Sequence, residues 1–155
     1  MVSFTVSCSK NNIDVFSVYD GDTFTDINRK KIRIFGIDAP EIRGAIGVKK
    51  IFAIKARDFL NQLLIKRDIR ILELSIGYYG RSVCKVWSGQ QDVAISLLKK
   101  GFAIVKYVSI NPKNRFYSTD FKYYKLLLDA QHYAFKNKVG VWSQKELLKK
   151  IFNKR

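Results

Sequence analysis

Acidic residues are scarce in this chain, and four of them stand at predicted turns beside β-strands. The chain has 13 Asp and Glu residues among 155, and the four at turns are Asp20, Asp22, Asp38 and Glu41. If the strands on either side of Asn28 pair as a hairpin, both turns lie at one end, and Asp22 can approach Asp38. Two such carboxylates repel unless one is protonated or a divalent cation binds them. Asp-Gly and Asp-x-Pro are also ordinary turn formers, so the acids favour a site only when taken together.

Two arginines supply the charge that a phosphate group requires. Arg33 lies between two isoleucines, so strand alternation places it on the face opposite to these apolar neighbours. Arg81 follows a Tyr-Tyr-Gly turn. A planar guanidinium donates two parallel, charge-assisted hydrogen bonds to phosphate. Each arginine alone is typical of an ordinary surface residue, whereas acids and arginines together favour a phosphate site.

Other familiar catalytic chemistry has little support in the sequence. His132 is the single histidine and falls inside a predicted helix, where a core or surface role is the commoner one. A zinc site is not favoured without a second histidine or a cysteine pair, and no P-loop or nucleophile elbow is present. Carboxylate ligands instead point to calcium or magnesium. Cys8 and Cys84 are expected to be reduced or buried thiols, with a single disulfide as the alternative.

The charge balance favours a polyanionic partner. Lys and Arg number 29 and the formal net charge is +16, which costs stability through self-repulsion. Nucleic acid is the commonest compensating polyanion, although a Lys-rich genome would also produce a basic chain. No apolar run is long enough to span a membrane, and residues 1–10 lack the pattern of a secretion signal. We therefore expect a cytoplasmic protein, unless a signal has been removed, that acts as a monomer.

The periodicity of apolar residues predicts about five strands interrupted by helices. The predicted strands cover residues 13–19, 23–27, 31–37, 68–74 and 81–87, with an extended stretch over 102–108. The predicted helices cover residues 49–66, 92–100 and, after a cap at 118–120, the chain to about 138. Ser143 and Glu146 match a capping box for a last basic helix. A strand meander with a helix after the third strand predicts an α+β, mainly β fold of the oligonucleotide-binding (OB) barrel type.

Three segments resemble the staphylococcal nuclease (thermonuclease) family in their order and spacing. They are Asp20-Gly21-Asp22-Thr23, the stretch RIFGIDAPE over residues 33–41, and Tyr79-Gly80-Arg81. The resemblance continues through residues 98–103 and ends at residues 140–142. It implies a five-stranded OB barrel with three helices over residues 1–142, followed by a basic helical extension over residues 143–155. It also implies a calcium-dependent nuclease that cleaves DNA or RNA and leaves 3′-phosphate ends.

The resemblance implies ligands for the calcium ion. Asp22 and Asp38 would bind Ca²⁺ through their carboxylates, and Ala39 would contribute its backbone carbonyl. Asp20 would form hydrogen bonds behind these ligands, where outer partners orient the inner ones.

The resemblance also implies roles in catalysis and substrate binding. Arg33 and Arg81 would hold the phosphate and stabilise the charge of the transition state, with Arg81 also assisting the leaving 5′-oxygen. Glu41 would position the attacking water and act as a general base. Tyr79 and Tyr107 would flank the nucleotide by stacking or by hydrogen bonding.

Two other functions stay open on sequence alone. A catalytically silent nucleic-acid-binding module can use the same barrel, although such a module would be expected to lose site acids or arginines that are all present here. A basic membrane-surface or protein-interaction domain would bind lipid rather than DNA. The basic helix near the C-terminus is expected to pack on the domain with a solvated face, and could instead extend a nucleic-acid track or contact an anionic membrane.

Overall fold

The structure, a computed structural model, describes residues 11–152. The stretch of residues 1–10 that was tested for a secretion signal, together with Cys8, lies outside the described residues. Lys154 and Arg155 of the predicted basic helix also lie outside them.

The described chain forms nine short strands, most of which belong to one sheet. They are β1 (Asn11–Ile13), β2 (Val15–Val18), β3 (Thr23–Asp26), β4 (Lys31–Ile34), β5 (Ile37–Asp38), β6 (Ile69–Ile76), β7 (Ser82–Ser88), β8 (Gln91–Asp92) and β9 (Ile104–Val105). The main sheet has the order β1-β6-β7-β4-β3-β2, with β8 paired to β7. Strands β5 and β9 form a separate antiparallel pair.

The main sheet closes on itself into a barrel. Strands β1 and β2 occupy its two ends, yet only Asp14 separates them along the chain. One bent segment therefore pairs with β6 through its first half and with β3 through its second half. The single predicted strand over residues 13–19 was wrong in this respect, because local alternation carries no information about a change of partner. The predicted OB-type barrel is confirmed.

The predicted strand over residues 31–37 is also interrupted. Gly36 has φ +79°, and a Cβ built there would lie 2.6 Å from Cδ1 of Leu127. This left-handed position, which glycine adopts without steric cost, separates β4 from β5 and lets β5 pair with β9. The extended stretch predicted over residues 102–108 shortens to β9, since only Ile104 and Val105 find strand partners there.

Four helices cover the barrel: α1 (Gly47–Leu64), α2 (Val93–Lys99), α3 (Phe121–Lys136) and α4 (Lys145–Phe152). The first three confirm the predicted helices with ends shifted by a few residues. Asp92 caps α2 and Asp120 caps α3, each accepting a hydrogen bond from a backbone N–H of the first turn. The last basic helix is also present, although no hydrogen bond of the described residues joins Ser143 to Glu146.

The core lies between the barrel and these helices. Its largest fully buried side chains are Phe24, Ile32, Ile34, Ile37, Leu60, Leu64, Ile69, Val86, Leu97, Leu98, Leu127 and Ile151. Each such side chain contributes about 1.5–3 kcal/mol by leaving water, and Ile151 attaches α4 to the domain. Cys84 is a buried thiol with no disulfide partner among the described residues, and burial raises its pKa to about 12. No helix within residues 11–152 is long and apolar enough to cross a membrane.

Candidate metal and phosphate site

A tight turn between β2 and β3 positions the first two acids. Tyr19 N–H donates to the Thr23 carbonyl at 2.9 Å, and the Asp22 N–H donates to Asp20 Oδ1 at 3.1 Å. A Cβ built on Gly21 would lie 2.6 Å from the Cβ of Ala56 in α1 and 2.7 Å from that of Ala39. Only glycine therefore allows this turn to rest against both the helix and the segment that follows β5.

The Asp22 carboxylate is buried and accepts three hydrogen bonds. Its Oδ1 receives the Thr23 hydroxyl at 2.8 Å and Arg33 Nη1 at 2.6 Å. Its Oδ2 receives the Ala39 backbone N–H at 2.8 Å. Asp22 thus ties the turn to β4 and to the chain immediately after Asp38.

The Arg33 guanidinium joins the two acids that the hairpin was predicted to bring together. The Cα of Arg33 pairs with that of Thr23 across β3 and β4, which places its side chain beside Asp22. Nη1 contacts Asp22, while Nη2 lies 3.3 Å from Asp38 Oδ1. Nη2 also donates to the Ile37 carbonyl at 3.1 Å. Asp22 and Asp38 therefore lie on one guanidinium.

Burial dominates the electrostatics of this acid pair. Desolvation raises the pKa of Asp22 to about 7, since the opposing pull of Arg33 is incomplete and the neighbouring Asp20 adds a repulsive charge. Burial also raises the pKa of Asp20. Arg33 alone therefore does not supply enough positive charge to offset the burial of these ionised carboxylates.

The donor atoms suit a hard divalent cation. Asp22 and Asp38 bring carboxylate oxygens, the kind of ligand that calcium and magnesium prefer, to one guanidinium. Within residues 11–152 no three His, Cys, Asp or Glu side chains gather into a metal cluster. A cation at this place would hence need backbone oxygens and water beside the two carboxylates.

Lys106 also belongs to this group, although no sequence pattern indicates that it would lie there. Its Nζ lies 2.7 Å from Asp38 Oδ2. The contact arises because β5 pairs with β9, with Ile37 opposite Val105 and Asp38 opposite Ile104. The predicted extended stretch over residues 102–108 contains this lysine, but no local pattern indicates that its ion-pair partner lies 68 residues away.

Two other predicted site residues, Glu41 and Arg81, form no hydrogen bond or ion pair with this group among the described residues. Glu41 is exposed on the loop before α1, and no hydrogen bond or ion pair of the described residues joins it to the two aspartates. Arg81 precedes β7, whose Val83 has its Cα paired with that of Arg33 in parallel register. Arg81 Nε donates to the Tyr78 carbonyl at 3.3 Å. Arg81 comes two residues before Val83, a distance of about 7 Å along a strand. It therefore lies near the strand position that pairs with Arg33.

The two predicted substrate tyrosines share an unusual backbone. Tyr79 has φ 62° and Tyr107 has φ 58°, a left-handed conformation that is strained in residues other than glycine and concentrates at functional sites. The Tyr79 ring is 93% exposed and lies 5.7 Å from the Arg81 guanidinium. The Tyr107 ring lies 5.2 Å from the Arg33 guanidinium. Tyr107 therefore belongs to the acid–arginine group, and Tyr79 belongs to the Arg81 turn.

A further arginine connects these two tyrosine regions. The Arg115 guanidinium lies 4.9 Å from the ring of Tyr78 and 4.9 Å from that of Phe116. Phe116 in turn packs edge-on against Tyr107 at 5.1 Å between ring centroids. The sequence gives no indication of a role for Arg115 or Phe116, since ring contacts between distant loops leave no periodic signal.

Comparison with known proteins identifies a family and several relatives that this chain resembles in sequence. The sequence profile of the staphylococcal nuclease homologue family matches residues 31–144. A thermonuclease of Staphylococcus hyicus is 28% identical over 142 residues, covering 88% of this chain and 79% of the relative. A probable endonuclease LCL3 of Yarrowia lipolytica is 32% identical over 124 residues, covering 74% of this chain and 50% of the relative.

A second probable endonuclease LCL3, from Zygosaccharomyces rouxii, is 28% identical over 119 residues and covers 74% of this chain. The chain spans 41% of that relative, so it matches half or less of these two fungal proteins. The family profile, by contrast, extends from the start of β4 to two residues beyond the 3₁₀ turn at Gly140–Trp142. Since that match covers most of the chain and the barrel has the expected OB form, the chain belongs to the staphylococcal nuclease homologue family.

Proposed function

We propose that this protein is a calcium-dependent nuclease that hydrolyses phosphodiester bonds of DNA or RNA. The observation that carries the proposal is the sharing of one guanidinium by Asp22 and Asp38, which collects two carboxylates and a phosphate-binding group in one place. The names of the relatives, a thermonuclease and probable endonucleases, support the same activity. A net charge of +16 supports a polyanionic substrate.

Asp22, Asp38 and the Ala39 carbonyl would hold the cation. When bound, the cation supplies positive charge to the phosphate oxygens and to the developing charge of the transition state. Calcium suits the site better than magnesium, because it accepts flexible coordination by few carboxylates completed with carbonyls and water. Asp20 would support this arrangement through the Asp22 backbone N–H, to which it already bonds.

Two arginines and a glutamate would carry the remaining chemistry. Arg33 is fixed by Asp22 and by the Ile37 carbonyl, so its orientation is set before substrate arrives, and Arg81 approaches from the start of β7. Their guanidiniums would bind the phosphate and stabilise its added negative charge. Glu41 is exposed to solvent, where it would hold the attacking water and accept its proton.

The position of the tyrosines supports binding of a nucleotide beside the phosphate. Tyr79 is exposed next to Arg81, and Tyr107 faces Arg33, so each can stack on a base while an arginine holds the adjacent phosphate. Departure of the 5′-oxygen, assisted by Arg81, would leave a 3′-phosphate and a 5′-hydroxyl.

The test is release of acid-soluble nucleotide from single-stranded DNA with calcium, with magnesium and with a chelator. Glu41→Gln is compared with Glu146→Gln, which alters an exposed glutamate in α4. We expect cleavage with calcium, none with chelator, and a rate about 10²–10⁴-fold lower for Glu41→Gln, with Glu146→Gln unchanged. Analysis of the product ends would show 3′-phosphates.

Salt-dependent DNA binding without cleavage under any cation would contradict the proposal. The barrel would then act as a nucleic-acid-binding module with a site that carries out no reaction. Binding to anionic lipid vesicles but not to DNA would contradict both of these functions and favour a membrane-surface domain.

A further inference from the structure

We propose that Lys106 is a tethered competitor of the divalent cation at Asp38, and that its release couples binding of the cation to binding of the substrate phosphate. The inference rests on the proposed function, since it assumes that Asp38 is a cation ligand. It assigns a positioning role to a residue that lies outside the predicted set of ligands and catalytic groups.

The carboxylate of Asp38 is occupied on both of its oxygens. Oδ1 faces Arg33 Nη2 at 3.3 Å and Oδ2 accepts from Lys106 Nζ at 2.7 Å. A divalent cation bound through this carboxylate would approach the same lone pairs and would repel the ammonium that lies beside it. The repulsion between this cation and the basic groups therefore favours movement of one of them when the cation binds.

Lys106 is the group that can move. The Arg33 side chain is 15% exposed and is anchored by Asp22 and by the Ile37 carbonyl. The Lys106 side chain is 35% exposed, and Asp38 is its one ion-pair partner among the described residues. A lysine ammonium on a four-carbon stem also reorients more readily than a clamped guanidinium.

The released ammonium remains where a substrate phosphate would lie. Lys106 Nζ is 4.9 Å from the ring of Tyr107, and the same ring lies beside the Arg33 guanidinium. A phosphate held by Arg33 next to Tyr107 would therefore meet Lys106 as a second cationic partner. In that position Lys106 would no longer neutralise Asp38, which would leave the carboxylate available to the cation.

The two binding events should consequently favour each other. The cation frees Lys106 for the phosphate, and the phosphate removes Lys106 from Asp38. Such coupling is reciprocal. The factor by which the substrate raises the affinity for the cation equals the factor by which the cation raises the affinity for the substrate. Loss of Lys106 should raise the affinity for the cation alone and remove the part of the coupling that does not come from direct attraction between cation and phosphate.

Calorimetric titration of calcium provides the test, with and without a short phosphorothioate oligodeoxynucleotide that resists cleavage. The proteins compared are wild type, Lys106→Gln, Lys106→Arg and Lys125→Gln. Lys125 is the matched control, because it forms a 2.7 Å pair with Asp129 on the exposed face of α3. Thermal unfolding confirms that each variant is folded.

Without oligonucleotide, Lys106→Gln should bind calcium about tenfold more tightly than wild type, while Lys125→Gln stays within about twofold of wild type. Oligonucleotide should raise the calcium affinity of wild type by a clearly larger factor than that of Lys106→Gln, in which only the direct attraction between cation and phosphate remains. Lys106→Arg keeps a cation beside Asp38 and should resemble wild type in calcium affinity. This last variant separates the effect of charge from that of packing.

Two failures can be told apart. Equal calcium affinity of folded wild type and Lys106→Gln would overturn the role of Lys106 and leave the proposed nuclease intact. Absence of any calcium binding by folded wild type, with and without oligonucleotide, would overturn the proposed function and this inference together.

Discussion

Asp22 and Arg33 form a buried ion pair in which Oδ1 and Nη1 are 2.6 Å apart. Even with this partner, burial raises the pKa of Asp22 to about 7. In the metal-free protein the carboxyl group therefore carries a proton below about pH 7, whereas a cation binds only its ionised form. Calcium affinity should rise with pH up to about 7 and level off above it.

Calorimetry at pH 6 and pH 8, in buffers with different ionisation enthalpies, measures the protons released on calcium binding. We expect release at pH 6 and almost none at pH 8, since the proton has already left Asp22 at the higher pH. The opposite trend, or equal proton release at the two pH values, would show that Asp22 does not limit binding. Asp22→Asn should abolish calcium binding at both.

Arg81 is the easier of the two arginines to test, because little of the fold depends on it. Its side chain makes one hydrogen bond, from Nε to the Tyr78 carbonyl at 3.3 Å. Arg81→Gln should lower the rate of DNA cleavage about 10²–10³-fold, as expected for a lost electrostatic donor. The free energy of unfolding should change by no more than about 0.5 kcal/mol.

The control for Arg81 is Arg57→Gln, which removes the same charge from an Arg57–Asp58 pair on α1. Cleavage rates under saturating substrate and urea denaturation curves separate catalysis from stability. If both variants lose the same fraction of activity, the loss reflects total charge, and Arg81 has no special role in the reaction.

Much of the acid–arginine geometry followed from short-range pattern. The hairpin around Asn28 is predicted as two strands joined by a turn, and its pairing places Arg33 opposite Thr23, next to Asp22. Strand alternation likewise predicted the face on which Arg33 projects. These features depend on residues fewer than twenty positions apart, where periodicity and turn chemistry are informative.

The features that escaped prediction depend on distant partners. The chain changes its pairing partner at Asp14, because β1 pairs with β6 and β2 pairs with β3. Gly36, which lies against Leu127 of α3, ends β4 in the same way. Lys106 reaches Asp38 only through the pairing of β5 with β9. Tertiary packing determines each of these three features, and local sequence propensity cannot predict them.

Tyr79 offers a way to separate substrate binding from stability. The residue combines an exposed ring with a left-handed backbone, and glycine adopts that backbone without strain. Tyr79→Gly should weaken binding of single-stranded DNA by about 1–3 kcal/mol through the loss of base stacking. Its free energy of unfolding should stay within about 1 kcal/mol of wild type, because relief of strain offsets the added freedom of the unfolded chain.

Fluorescence anisotropy with a labelled oligodeoxynucleotide measures the binding, and thermal unfolding measures the stability. Tyr79→Phe keeps the ring and should bind like wild type if stacking is the dominant contact. A Tyr79→Phe variant as weak as Tyr79→Gly would instead assign the binding to the tyrosine hydroxyl.

Gly21 makes the strongest steric prediction, because its position has no room for a methyl group. A Cβ there would lie 2.6 Å from the Cβ of Ala56 and 2.7 Å from that of Ala39. Gly21→Ala should therefore destabilise the protein by about 1–3 kcal/mol, the usual cost of overpacking. It should also weaken calcium binding, since the displaced turn carries Asp22 away from Asp38.

A double-mutant cycle with Ala56→Gly tests the cause of this loss. Removing the Ala56 methyl costs about 0.5–1 kcal/mol of helix stability by itself, but it relieves one of the two close contacts that a methyl on residue 21 would make. The double variant should be more stable than the sum of the single changes predicts, with a coupling of about 0.5–3 kcal/mol measured by urea denaturation. Strictly additive effects would mean that the two residues do not press on each other, and that the close contact with Ala39, not the one with α1, causes the loss.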